Sequence, residues 1–208
     1  MVYLPAVFSE TRTDLLIAHI ERHDFGLLVS HGAEGLIASQ IPFLVARRAG
    51  RCYLQGHLAR PNRQGAVLGE GEALAIFAGP HAYISPGWYA AGPSVPTWNY
   101  VSVHAYGRAR AIDDRDWLRG LLRRLSQRHE AREPAPWRMD ALPPPYLDSM
   151  LDGIIGVEIA VDRLEGKFKL SQNRPAEDRP RIIAALEKRG DPDSLAVAQL
   201  MREREAAR

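Results

Sequence analysis

The first 110 residues contain a series of strand-like segments joined by hairpin-length turns, and they lack crossover helices. Parallel strands need crossover connections of a dozen or more residues, so this order predicts a largely antiparallel sheet. Residues 97–112 alternate most clearly between polar and apolar side chains. The predicted strands cover residues 25–30, 36–45, 51–58, 72–78, 81–84, 97–112, 154–161 and 168–170. The fold class is therefore α+β, a small antiparallel barrel with peripheral helices.

Several local signals divide these strands and place the helices. Gly79-Pro80 predicts a break between two strands, and residues 164–167 predict a turn. A short helix is predicted around residues 15–20, and Asp113-Asp114 predicts the start of an amphipathic helix. A Pro-rich linker follows that helix, and two more helices close the chain. We expect one split-barrel domain over 1–208, with a helical insertion at 113–150 and C-terminal helices at 175–208.

Composition excludes several classes of protein. The 208 residues include 27 Lys+Arg against 25 Asp+Glu, so the net charge of +2 does not demand a nucleic acid or anionic membrane partner. A single cysteine, Cys52, rules out an internal disulfide framework and favours a buried thiol. The N-terminus has no signal-peptide pattern, and the apolar runs are far shorter than the ~20 residues that span a bilayer. These features predict a soluble, cytoplasmic protein with no membrane partner.

Standard catalytic and nucleotide motifs are missing from the sequence. It contains no phosphate loop, dinucleotide fingerprint, zinc-protease helix or nucleophile elbow. His19 and His23 are spaced to share one helix face. A zinc site needs further ligands, and none is nearby, so we expect a solvated histidine pair.

The most polar strand end lies at Gly56–Asn62, where His57, Arg60 and Asn62 fall within seven residues. A strand-to-helix junction offers backbone N–H groups, which suit a phosphate or carboxylate. Arg60 adds a guanidinium that can bind such a group through two hydrogen bonds. The alternative is that His57 packs in the barrel and Arg60 is an ordinary surface residue.

Three further segments are rich in aromatic or polar side chains. Residues 79–89 and 96–100 combine large aromatic residues with a few polar ones, which predicts either the wall of a planar-ligand pocket or a packed aromatic corner. Residues 166–175 hold two of the three lysines of the chain, followed by Ser171, Gln172 and Asn173. This last segment predicts either an anionic-ligand site or an exposed polar turn.

Taken in order, these segments resemble one known family. The sequence reads G-H-L-A-R-P-N, G-P-H-A-Y-I-S-P-G-W-Y, V-P-T-W-N-Y and K-F-K-L-S-Q-N-R-P in the four segments. This series resembles the PaiB family of FMN-binding negative transcriptional regulators, and the resemblance spans residues 3 to 200. It implies a split β-barrel similar to flavin reductases and pyridoxamine-phosphate oxidases, a homodimer, and a cofactor at the subunit interface.

The resemblance also implies which side chains hold the cofactor, while the catalytic residues stay unknown. The cofactor-binding residues it implies are His57, Arg60, Asn62, His81, Tyr83, Ser85, Trp98, Asn99, Lys169, Ser171, Gln172 and Asn173. FMN is the expected cofactor, and the expected role is that of a negative transcriptional regulator or a redox sensor. A flavin-dependent oxidoreductase is an alternative within the same fold.

Two other hypotheses stay open. Haem-dependent piperazate synthases, which form an N–N bond, are similar to the same family, and haem needs an axial donor such as a neutral imidazole. His57 would be that iron ligand if haem is the cofactor, with His81 the second candidate. Direct DNA binding would need a basic face. The predicted helix after Asp114 offers such a face with five arginines: Arg115, Arg119, Arg123, Arg124 and Arg128.

Overall fold

A computed structural model describes residues 2–90 and 92–206. Within them the chain forms eight β-strands and five α-helices. The strands are β1 (Ser9–Glu10), β2 (Phe25–Gly32), β3 (Gly35–Pro42), β4 (Leu44–Arg48), β5 (Arg51–Ala59), β6 (Glu72–Ile84), β7 (Thr97–Ile112) and β8 (Ile154–Lys169). The helices are α1 (Thr13–Arg22), α2 (Arg115–Glu130), α3 (Pro144–Asp152), α4 (Asp178–Arg189) and α5 (Pro192–Ala206).

The strands form one hydrogen-bonded sheet in the order β3-β2-β6-β7-β8-β5-β4, and β1 pairs with β8. Every pair whose register is resolved is antiparallel: β1 with β8, β2 with β3 and β6, β5 with β4 and β8. The predicted antiparallel α+β class is therefore confirmed. Pro42 is the last residue of β3, the edge strand, where its missing N–H is tolerated.

The chain divides into two compact units. The terminal unit comprises residues 1–19, 78–104 and 165–208, and the central unit comprises 20–77 and 105–164. In the central unit, Leu121 and Leu125 of α2 pack with Leu44, and Trp117 covers this cluster. In the terminal unit, α4 and α5 bury apolar side chains that include Ile182 and Val197.

Helix-end signals in the sequence are confirmed. The Asp114 side chain accepts a hydrogen bond from the Trp117 N–H and so caps α2. Gly190, with a φ of +76°, ends α4 in the left-handed conformation that glycine adopts without strain. Asp191 caps α5 through the N–H of Ser194. The predicted α1 extends from Thr13 to Arg22.

Two predicted breaks are wrong, because β6 and β8 run without interruption through Gly79 and Gly166. His19 packs so closely on Gly79 that a Cβ there would clash with its ring. Leu16 would meet a Cβ on Gly166 in the same way. Both glycines therefore permit close approach within a strand rather than a turn.

Three other predictions need correction. The predicted Pro-rich linker holds α3, because a proline in the first turn does not interrupt a helix. The single strand predicted at 36–45 is divided into β3 and β4 at Phe43. His19 is buried and stacks on Phe168 with ring centroids 5.9 Å apart, so it is not half of a solvated pair.

Candidate functional site

His57 lies on β5 of the central unit, directly opposite Gly156 of β8. The Trp117 ring occupies the space above Gly156, where a side chain would not fit. The imidazole is half-buried, and its Nδ1 has no hydrogen-bond partner among the described residues. Burial lowers the pKa of His57, so the ring is neutral at pH 7. The structure thus holds an uncharged imidazole whose buried nitrogen the described protein atoms do not satisfy.

Arg60 and Asn62 follow β5, and other parts of the central unit engage both. The Arg60 guanidinium donates to both oxygens of Asp113 at 2.7 and 3.0 Å and to the Asp152 carbonyl at 2.7 Å. These hydrogen bonds raise the pKa of Arg60 and lower that of the Asp113 carboxyl. The cofactor-binding role of Arg60 and Asn62 stays a prediction. The Arg60 guanidinium already donates two hydrogen bonds to the Asp113 carboxylate.

Asn62 caps the short 3-10 helix that begins at Arg63. Its Oδ1 accepts from the Gln64 N–H at 2.9 Å, and its Nδ2 donates to the Ser39 hydroxyl at 2.9 Å. Both ends of the amide thus stabilise the turn that follows β5.

The terminal unit presents three rings that we call the aromatic wall: His81 and Tyr83 on β6 and Trp98 on β7. The Trp98 indole lies 6.0 Å from the His81 ring and 5.9 Å from the Tyr83 ring, measured between centroids. Trp98 is 52% exposed and Tyr83 37% exposed. Exposing rings of this size leaves apolar area in water, a feature that is typical of binding surfaces.

Asn99, next to Trp98, points the other way and is fully buried. Its Nδ2 donates to the Ser171 hydroxyl at 2.9 Å and to Met201 Sδ at 3.5 Å. Ser171 is also buried and has a φ of +63°, a left-handed conformation that only a tightly determined turn holds in a serine. These two predicted site residues therefore bond to each other inside the terminal unit.

The remaining predicted residues of the terminal unit mainly bond to backbone. Lys169 Nζ donates to the Thr97 hydroxyl and the Trp98 carbonyl, and burial, followed by Lys167 and Arg174, lowers its pKa. Gln172 closes the turn after β8 by accepting from the Leu170 N–H at 2.7 Å.

Ser85 and Asn173 complete the predicted set. The Ser85 hydroxyl caps a short 3-10 helix by accepting from the Gly87 N–H, while Asn173 is exposed. Of the twelve predicted residues, the structure joins His81, Tyr83 and Trp98 into one surface and Asn99 with Ser171 in the interior.

A cluster around Glu158 in the central unit was not predicted. This carboxylate is 2% exposed and accepts from Gln55 Nε2 at 2.7 Å, Arg48 at 2.7 Å and Arg110 at 2.8 Å. The available signal was a single acidic residue in the otherwise apolar segment 154–161. The predicted burial of Cys52 holds in part: it is half-buried, and burial raises the pKa of its thiol.

Comparison with known proteins identifies the family. The family described as "Putative FMN-binding domain" matches residues 2–163. The chain belongs to this family. It is 33% identical to the protease synthase and sporulation protein PAI 2 of Bacillus subtilis, over 98% of each chain. The predicted resemblance to the PaiB family is therefore confirmed.

Solved structures establish the fold as well. The FAD and haem binding protein of Mycobacterium smegmatis matches 86% of this chain and 80% of its own, with a TM-score of 0.60 and 19% identity. The flavocytochrome Anf3 of Azotobacter vinelandii matches 77% of this chain and 69% of its own, with the same TM-score and 14% identity. These likenesses confirm the predicted split-barrel fold.

The described residues lack two further kinds of feature. No described helix is long and apolar enough to cross a membrane. Nor do residues 2–90 and 92–206 contain a cluster of three or more side chains able to hold a metal ion through protein ligands alone.

Proposed function

We propose that this chain binds FMN on the aromatic wall of its terminal unit and works as a redox-responsive regulator in a homodimer. The observation that carries the proposal is the exposed Trp98 indole, flanked by His81 and Tyr83, in a member of an FMN-binding family. The exposed Trp98 indole, held between two tilted rings, offers one face to a planar isoalloxazine, which binds by stacking. The exposure of the wall also supports the homodimer, because a second copy would bury the remaining apolar area.

The residues of the chain position this wall without contributing redox chemistry of their own. Lys169 holds the Trp98 carbonyl and the Thr97 hydroxyl, so it fixes the backbone from which the indole projects. Asn99 anchors the same strand from the interior through Ser171. Bound FMN would supply one- and two-electron transfer, and the protein would set its orientation and exclude water.

The test is a titration of the purified chain with FMN, followed by flavin fluorescence and visible absorption. We expect saturable binding by the wild type and about tenfold weaker binding by Trp98→Ala, because stacking area is lost. The matched control is Trp137→Ala, an indole of similar exposure in the central unit, which should bind as the wild type does. A wild-type protein that does not bind FMN, or equal binding by Trp98→Ala, would refute the proposal.

Haem is a second candidate, and one specific observation favours it. His57 is neutral and half-buried, and its Nδ1 has no hydrogen-bond partner among residues 2–90 and 92–206; a neutral imidazole is an axial ligand of haem iron in many proteins. Titration with haemin should give a sharp Soret band that His57→Ala abolishes. His104→Ala removes another half-buried strand histidine and should keep the band. Equal spectra for both variants would exclude His57 as the ligand.

For the regulatory role, we propose that the protein responds to its bound cofactor through a surface other than the one that the five α2 arginines form. Four of these five arginines form ion pairs with acidic side chains of the central unit, and the fifth donates to Gln55. The pairs are Arg115 with Asp148 and Asp152, Arg119 with Asp148, Arg123 with Asp140, and Arg128 with Asp24. Such pairing cancels the field that phosphates would need.

DNA binding on α2 can be measured directly. We expect a labelled duplex in 50 mM salt to bind the wild type and Arg123→Gln equally, with or without FMN. A clear loss of binding in Arg123→Gln would restore α2 as a DNA-binding face.

A further inference from the structure

A pocket lies within the central unit, and none of its lining residues belongs to the four segments that the motifs single out. Its volume is about 390 Å³, within the range of small-molecule sites. It is lined by Arg48, Tyr53, Arg108, Arg110, Glu158 and Ala160. Three guanidiniums and one carboxylate give this lining a net charge of +2, so the pocket favours an anion.

Glu158 organises two of the arginines. Its Oε1 accepts from Nε and a terminal nitrogen of Arg110, and its Oε2 accepts from Arg48 and Gln55. Burial by itself raises the pKa of Glu158, but the hydrogen bonds from Arg48, Gln55 and Arg110 lower it below its ordinary value. The carboxylate therefore stays charged at neutral pH and holds both guanidiniums in place.

Arg48 and Arg110 still have N–H groups that do not donate to Glu158. A guanidinium has five N–H groups, and Glu158 accepts one from Arg48 and two from Arg110. Arg48 also stacks 4.0 Å above the Tyr53 ring, so its orientation is fixed before any ligand arrives. Preorganised donors lose little conformational entropy on binding.

Arg108 gives the stronger evidence that this pocket binds an anion. It is exposed and makes no ion pair with any described residue. It lies two residues from Arg110 on β7, so both side chains project from the same face of the strand, about 7 Å apart. Like charges at that spacing repel, and an anion bound between them would remove the repulsion.

We propose that this pocket binds the dianion of a phosphate monoester, held by Arg108, Arg110 and Arg48. Arginine suits a phosphate because its planar donors match two phosphate oxygens at once. The inference is separate from the proposed flavin function, because every residue that lines the pocket belongs to the central unit. Three of the five Arg60 N–H groups already donate to Asp113 and Asp152, whereas Arg108 forms no ion pair with a described residue.

The primary test is isothermal titration of the full chain with inorganic phosphate. We expect saturable binding by the wild type and a loss of about tenfold or more in Arg108→Gln, because a charge-assisted hydrogen bond is removed. Arg63→Gln is the matched control: it removes another exposed arginine of the central unit that lies outside the pocket. The proposal fails if the wild type gives no saturable heat, or if Arg108→Gln and Arg63→Gln bind alike.

A second variant, for which we expect tighter rather than weaker phosphate binding, adds an independent test. Glu158→Gln removes the one negative charge of the lining but keeps a side-chain oxygen that accepts hydrogen bonds from the same arginines, so we expect phosphate binding to tighten by severalfold. A folded Glu158→Gln protein with weaker phosphate binding would contradict the proposal. Should this variant fail to fold, the exposed Arg108→Gln substitution still decides the question.

Titrations with riboflavin and with FMN show which ligand supplies the phosphate. If Arg108→Gln weakens FMN binding but not riboflavin binding, the phosphate in the pocket is that of the flavin nucleotide. If it weakens only inorganic phosphate binding, the pocket serves a separate phosphorylated ligand. A wild type that binds phosphate through Arg108 but takes up neither flavin would refute the proposed function and leave this site standing.

Discussion

Trp98 and Asn99 are neighbours in β7, yet they belong to two different regions of the terminal unit. Trp98 faces out with His81 and Tyr83, while Asn99 is fully buried against Ser171. Both were predicted to line one cofactor cleft. The difference teaches that a conspicuous motif mixes two kinds of residue: those that build the strand ends and those that remain available to a ligand.

The largest expected effect on folding stability comes from Glu10, which is buried in the terminal unit, as are Asn99 and Ser171. The hydrogen bond and charge of Arg12 lower its pKa from 4.5 to about 2. A carboxyl with a depressed folded pKa stabilises the protein above its unfolded pKa and loses that contribution as pH falls through the folded value. We expect up to about 3 kcal/mol of folding stability to disappear between pH 5 and 2, less in salt because Arg12 is exposed.

Chemical denaturation at a series of pH values measures this loss. Glu10→Gln should be less stable at pH 7 and should show a flatter pH dependence than the wild type. Glu34→Gln, a substitution at an exposed glutamate, should keep the wild-type slope. Parallel pH curves for the wild type and Glu10→Gln would show that this interior group does not stabilise the unit.

Asn99→Ala should cost about 2 kcal/mol of unfolding free energy, because the buried Ser171 hydroxyl loses its partner. The control is Asn173→Ala, an exposed amide in the neighbouring segment, which should change stability by less than about 0.5 kcal/mol. Asn99→Ala with wild-type stability but weakened FMN binding would move Asn99 from the interior group to the ligand group.

Sequence patterns predicted the fold better than the site, for a physical reason. Alternation and caps are local, so the extent of β7, the start of α2 and the end of α4 could be read from adjacent residues. Gly79 and Gly166 were misassigned because the side chains that need their space, His19 and Leu16, are far away in sequence.

The same limit applies to the site. Asp113, the partner that engages Arg60, is 53 residues away in sequence, so no local pattern announces it. Alternation along β7 did place Arg108 and Arg110 on one face, but it was used only to predict a strand. The position of Arg108, which forms no ion pair with a described residue, could therefore have been read from the sequence, whereas the ion pair of Arg60 could not.

Trp98→Ala should cost only about 1 kcal/mol of unfolding free energy, the scale of its ring contacts with His81 and Tyr83. Val101→Ala, a smaller truncation at a buried position of the same strand, should cost more. If Trp98→Ala is the more destabilising of the two, the aromatic wall is part of the folded core rather than a surface held ready for a ligand.

Arg60→Gln should have the smallest effect, since its partner Asp113 is exposed and surface ion pairs contribute little to stability. Its melting temperature should match that of Asp113→Asn, because either substitution breaks the same pair. The ratio of FMN to riboflavin affinity should stay at the wild-type value in Arg60→Gln, because in the wild type this guanidinium donates to Asp113 and Asp152 rather than to a ligand. A ratio that falls in Arg60→Gln but not in Asp113→Asn would mean that Arg60 leaves Asp113 to bind phosphate. The central unit would then hold a ligand-binding arginine that its free structure conceals behind an ion pair.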